Sequence, residues 1–193
     1  MNFLKILKTI DNLNTDSTIK SIINSVNKDQ IESKRWLLEK LKPHLLAFDK
    51  PKILVVAGWY GLLAEMLSKK ISDEVYSLDM DPNCAKIGVK MFSDNVRFII
   101  KDIKDYGRKH LKDYDYIICP SCEHINDDII NHILSKKRKD SIAVLQSNNY
   151  FNLKEHINCK NSLEEFENSL TLKVFDRGIK SFERYDRYMV IGV

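Results

Sequence analysis

From Ile53 to Pro82 the chain reads ILVVAGWYGLLAEMLSKKISDEVYSLDMDP, and this order of residue types leaves few folds open. Ile53 to Val56 is a short apolar run rich in β-branched residues, the pattern of a strand buried on both faces. Gly58 and Gly61 bracket a turn, Leu62 to Leu67 begins a helix, and Val75 to Leu78 is a second strand ending at Asp79. A glycine turn between strand and helix lets a ligand approach the backbone and the helix N-terminus closely. An acidic residue about 20 positions further on sits at the neighbouring strand end, where it can grip two ribose hydroxyls. The segment therefore points to a nucleoside cofactor.

Residues 1–50 read as helical. Thr15-Asp16-Ser17 caps a helix through Val26, and Asn27 with Gln30 makes a capping box for a second helix to about Leu46. Within that helix Ser33-Lys34-Arg35-Trp36 has two readings. Either it is a solvated turn with Trp36 in the core, or the helix lids the cofactor and Ser33 or Lys34 touches its carboxylate. Past the opening unit, Asp81-Pro82 starts a helix to about Phe92, and Val96 to Ile100 is a third strand followed by Lys101-Asp102-Ile103. Tyr114 to Cys119 is a fourth, Asp127 to Lys137 a helix, and Ser141 to Gln146 a fifth strand ending in Ser147 to Tyr150. Ser162 and Glu165 cap a short helix, and two last strands, Thr171 to Phe175 and Tyr185 to Val193, enclose DRGIKSFER.

Alternation of this kind implies a doubly wound α/β sheet, with ligands outside the C-terminal strand ends where strand order reverses. The polar clusters fall at those ends: Gly58 to Gly61, Asp79, Asp102, Ser121 to His124, and Asn148 to Tyr150. A dinucleotide fingerprint needs small residues in its turn. Trp59 and Tyr60 stand there instead, which argues against pyrophosphate and for an adenosine cofactor without phosphates.

On these residues the chain resembles the class I S-adenosylmethionine-dependent methyltransferases, across roughly 51–193. AGWYGLLA is similar to that family's glycine turn, SLDMDP to its ribose-binding strand end, IIKDI to its adenine-side loop, and DYIICPSC occupies its catalytic-motif position. It departs at Val55, where the family often carries an acidic residue, and keeps only the proline of an N-P-P-Y motif. The resemblance implies a Rossmann-like, seven-stranded sheet, mostly parallel with an antiparallel C-terminal strand. It implies a cofactor-binding catalytic domain over 51–193 and a helical extension over 1–50 packed on it. S-adenosyl-L-methionine is the implied cofactor. Gly58, Trp59, Tyr60 and Gly61 would face its methionine, Asp79 its ribose and Asp102 its adenine amine. Met80, Ile103, Cys119 and Ser121 would complete the cofactor site, and Ser33 or Lys34 would join it on the reading in which the helix lids the cofactor.

Methyl transfer is an in-line displacement that needs alignment, and a general base when the acceptor has a proton to lose. Glu123, His124, Tyr150 and Asn148 are the catalytic candidates, each with a competing structural duty as helix boundary, wall or turn residue. Cys119-x-x-Cys122 and His156-x-x-Cys159 have zinc-like pair spacings, but the long separation between the pairs leads us to expect no metal site. The acceptor class stays open. The alternatives are another S-adenosylmethionine-using transferase or lyase, and a non-catalytic methyltransferase-like binding module. A net charge of +4, from 31 basic against 27 acidic residues, permits nucleic acid without requiring it, and the basic runs at 136–139 and 184–187 read chiefly as solvated. No apolar run suits a membrane span, the N-terminus lacks a secretory cleavage site, and four cysteines fit reduced thiols, so a cytoplasmic location is expected.

Overall fold

The computed structural model describes residues 3–13, 15–47, 49–92 and 95–193. Its strands are β1 (Ile53–Val56), β2 (Val75–Asp79), β3 (Val96–Ile100), β4 (Tyr116–Cys119), β5 (Ile142–Asn148), β6 (Val174–Ser181) and β7 (Asp186–Gly192). They form one sheet in the order β3-β2-β1-β4-β5-β7-β6. β7 runs antiparallel to both neighbours and every other pairing is parallel. This is the expected Rossmann-like methyltransferase architecture. The helices are α1 (Phe3–Asp11), α2 (Asp16–Ser25), α3 (Lys28–Leu41), α4 (Leu62–Lys70), α5 (Pro82–Phe92), α6 (Ile103–His110), α7 (Asp127–Lys136) and α8 (Leu163–Asn168).

β1 explains why the chain is layered. Its four residues are buried, and successive side chains leave opposite faces of the sheet. Leu54 and Val56 enter one layer with Leu111, Ile130, Ile133 and Phe166. Ile53 and Val55 enter the other, with Leu37 and Leu41 of α3 and Leu63 and Leu67 of α4. α1, α2 and α5 share a third cluster through Ile6, Ile22, Ile87 and Met91, which also takes in Tyr60 of the glycine turn.

Several boundaries differ from the sequence reading. α3 stops at Leu41 and continues as a 3-10 turn, Lys42–Ala47, because Pro43 removes an amide donor. β5 extends to Asn148, so Ser147 and Asn148 are strand residues paired with β7 and not loop. Most of DRGIKSFER, expected between two strands, is β6 itself. That strand alternates half-buried and exposed positions as an edge strand does, so it lacks the apolar run that marked the others. Among the described residues no helix is long and apolar enough to cross a membrane.

Candidate active site

Strand order reverses between β1 and β4, and a cleft opens at that point. Gly58, Trp59 and Tyr60 after β1 form one side, Ser121, Glu123 and His124 after β4 the other. Its empty space, counting the open mouth, is about 850 Å³. α2 and α3 form a third wall through Ser25, Gln30 and Lys34, and the ends of β5 and β7 close the fourth with Asn148, Tyr150, Tyr185 and Arg187.

The glycine turn is sharply bent. Ala57 and Trp59 have φ of 51° and 52°, and Gly61 caps α4 at φ 90°. Left-handed backbone at non-glycine residues costs on the order of 1–3 kcal/mol each and collects at functional sites. A Cβ on Gly61 would lie 2.7 Å from the Phe98 ring, so that position needs glycine for space as well as conformation. Trp59 N–H donates to Asp79 Oδ2 (2.9 Å) and Asp81 N–H to Asp79 Oδ1 (3.1 Å). Burial raises the Asp79 carboxyl above its usual range, against the pull of these N–H groups. The aspartate read as a ribose ligand thus also braces the turn.

The wall after β4 is built on a buried ion pair. Glu123 Oε1 accepts from Arg187 Nη1 at 2.9 Å, and both side chains are under 5% exposed. Arg187 also donates to the Pro120 carbonyl (3.2 Å), tying β7 to the end of β4. Lys34 is buried beside them and donates to Gln30 Oε1. Burial, with the Arg187 charge, lowers its ammonium to about 7, and Glu123 opposes that only partly.

The cleft brings together Gly58, Trp59, Tyr60, Ser121 and Lys34 of the expected cofactor set, and all four catalytic candidates, Glu123, His124, Asn148 and Tyr150. Gly61, Asp79, Met80, Asp102, Ile103, Cys119 and Ser33 are not among its lining residues. Ser33 Oγ donates to Gln146 Oε1 inside the core (3.4 Å), Asp102 caps α6 by accepting from Lys104 N–H (2.8 Å), and Cys119 is buried in β4. Met80 lies in the open at the end of β2, 70% exposed. Sequence reasoning missed Gln30, whose only signal was its capping-box position, and Tyr185. It misjudged Arg187, which belonged to a run read as solvated and is buried.

The cysteine pairs do not converge as a four-ligand set. Among the described residues, the group whose potential ligand atoms come together is Glu123, His124 and His156. The four cysteines are free thiols, and burial pushes Cys159 up to about 11 and Cys84 to about 12.

No protein-family model and no curated protein sequence matches the chain. Solved structures do resemble it. A mutant of MtNAS in complex with S-adenosylmethionine aligns over 98% of this chain and 71% of its own, with 13% identity and a TM-score of 0.65. The N-methyltransferase NodS from Bradyrhizobium japonicum WM9, in complex with S-adenosyl-L-homocysteine, aligns over 97% of both chains at 14% identity and a TM-score of 0.69. Magnesium protoporphyrin IX methyltransferase (ChlM) from Synechocystis PCC 6803, with bound SAM, aligns over all of this chain and 91% of its own at 14% and 0.61. The chain therefore has the fold of the class I S-adenosylmethionine-dependent methyltransferases.

Proposed function

We propose that the protein is an S-adenosylmethionine-dependent methyltransferase. The observation that carries this is the cleft at the β1/β4 reversal, with a strained glycine turn on one side and a buried polar wall on the other. Similar folds have been solved with S-adenosylmethionine or its demethylated product in place. The residues present fit that cofactor. The turn offers backbone to its methionine end and Lys34 a partner for its carboxylate, while the expected ribose and adenine residues, Asp79, Met80, Asp102 and Ile103, stand at and just beyond the ends of β2 and β3, outside the cleft's own lining. When bound, the cofactor supplies an electrophilic methyl group.

The chain's own residues hold and orient. Lys34 gains its proton most readily once a carboxylate arrives beside it. Glu123, His124, Asn148 and Tyr150 form the wall on which an acceptor's lone pair can be aimed at the methyl, and they offer oxygens and imidazole nitrogen for its proton. A reducing, cytoplasmic setting is supported by four free cysteines, of which Cys84, Cys119 and Cys122 are buried.

Calorimetry with S-adenosylhomocysteine tests the reading. We expect saturable binding by the parent, and roughly tenfold or weaker binding by Lys34→Met, the loss of one charge-assisted hydrogen bond. No binding by the parent at millimolar ligand rules the proposal out. Mass spectrometry of spent S-adenosylmethionine should then find S-adenosylhomocysteine rather than a cleaved sulfonium.

A further inference from the structure

We propose that Glu123, His124 and His156 bind a divalent transition-metal ion, with Zn²⁺ as the reference ion, on the acceptor wall of the cleft. Each residue offers one ligand atom, and the three lie within 4.8 Å of one another. Two imidazoles and one carboxylate make the donor set of open zinc sites, which keep a position for a further ligand.

Three observations separate this trio from a chance cluster. The first is tautomer. His124 Nδ1 lies 2.9 Å from the Glu155 carbonyl oxygen, and His156 Nδ1 lies 2.7 Å from that of Tyr150. A carbonyl only accepts, so each Nδ1 carries hydrogen and the neutral ring keeps its lone pair on Nε2. Metal-binding histidines are held by the same kind of outer contact. The second is the carboxylate. Glu123 is 2% exposed, Arg187 occupies Oε1, and the buried Oε2 has no hydrogen-bond partner among the described residues. An unpartnered buried acceptor is costly, and a bound cation supplies the missing partner. The third is rigidity across a long sequence separation. Asn158 N–H donates to the Glu123 carbonyl (2.9 Å), its side chain to the Ile125 carbonyl (2.7 Å), and Lys160 pairs with Asp127 (2.6 Å). The loop carrying His156 is thereby fastened to the turn carrying Glu123 and His124.

Charge decides which ion fits. Arg187 beside Glu123 opposes any cation, and a single half-shared carboxylate is too little for Mg²⁺ or Ca²⁺, which want oxygen ligands throughout. Ions with strong imidazole bonds, such as Zn²⁺ and Co²⁺, are selected. Cys159, whose thiol contacts His156 Nδ1 at 3.6 Å and Asn148 Oδ1 at 3.3 Å, stands outside the trio. The role follows from position: an open coordination site facing the cleft would fix the acceptor atom. That role rests on the methyltransferase reading and would replace Glu123 and His124 as takers of the acceptor's proton, whereas the binding itself does not rest on it.

The test titrates chelator-stripped full chain with Zn²⁺ and with Mg²⁺ by calorimetry, and measures S-adenosylhomocysteine binding on the same samples. We expect one Zn²⁺ per chain and no Mg²⁺ uptake. His124→Ala and His156→Ala should each weaken Zn²⁺ roughly tenfold or more, while Cys159→Ser should not, with circular dichroism reporting the fold of each variant. Absence of Zn²⁺ binding, or binding indifferent to both histidines, overturns the site. Zn²⁺ binding lost only in Cys159→Ser overturns it equally, by giving the ion to a thiol. Cofactor-product binding without Zn²⁺ strikes this proposal alone, and Zn²⁺ binding without cofactor product strikes only the methyltransferase reading.

Discussion

Lys34 is the residue whose chemistry the fold has altered most visibly. Helix α3 presents it to the cleft next to Arg187, and burial there favours the neutral amine at a value near 7 in place of the usual 10.5. The consequence for stability has a definite sign. Between those two values the unfolded chain binds a proton on Lys34 that the native chain does not, so native stability rises with pH across the window. The slope from one such group is about 1.4 kcal/mol per pH unit. Urea unfolding at about pH 7, 8 and 9 should therefore show the parent gaining on Lys34→Met by about that much per unit. Equal slopes in the two proteins would mean that Lys34 stays charged in the native state. Little of this was legible beforehand. Sequence reasoning placed Lys34 on a cleft-facing helix as one of two readings, but the charges that act on it there, Arg187 and Glu123, depend on β7 and on the turn after β4.

The elements that were legible are those whose side chains face core on both sides. β1, β4 and β5 carry continuous apolar runs because both faces are covered, and their positions followed from the residues. β6 escaped because an edge strand needs no such run, and the polar end of β5 escaped because Ser147 and Asn148 are buried by pairing with β7 rather than by apolarity. Between elements, the packing of α5 on the glycine turn makes a sharper prediction. Gly88 lies inside α5, where alanine ordinarily gains about 1 kcal/mol of helix propensity. A Cβ there would stand 2.7 Å from the Tyr60 carbonyl oxygen and 2.5 Å from the Phe98 ring, contacts that require backbone to move. Overpacking costs typically 1–3 kcal/mol, so it outweighs the propensity gain. Gly88→Ala should lower stability by about 1–2 kcal/mol in urea unfolding and weaken S-adenosylhomocysteine binding by displacing Tyr60. A variant more stable than the parent would show that α5 can slide away from the turn at no cost.

At the scale of the molecule, the cleft is where four segments distant in sequence meet: the turn after β1, the turn after β4, the ends of β5 and β7, and the helical layer of α2 and α3. The first three follow from sheet topology, which is why most of the candidate residues could be named from strand ends alone. The helical wall was only one of two readings, because nothing in residues 16–41 decides which face meets a cleft until the sheet is in place. Its attachment is uneven. α3 is anchored by Leu37, Leu38 and Leu41 in the sheet core, whereas α2 reaches the turn through Ile22 and a hydrogen bond from the Tyr60 hydroxyl to Ser21 Oγ (2.9 Å). Few buried contacts mean a low free energy of local opening, so α2 and the start of α3 should open far more readily than the sheet. A cofactor seated against Lys34 and Gln30 would oppose that opening by mass action. Amide exchange followed by mass spectrometry should therefore slow on adding S-adenosylhomocysteine in the segments Ser21–Lys34, Ala57–Leu62 and Ser121–His124, while α8 and the start of β6, remote from the cleft, exchange unchanged. Protection confined to the two turns, with the helical segment indifferent to ligand, would reduce α2 and α3 to a static cover and remove Lys34 from the cofactor site.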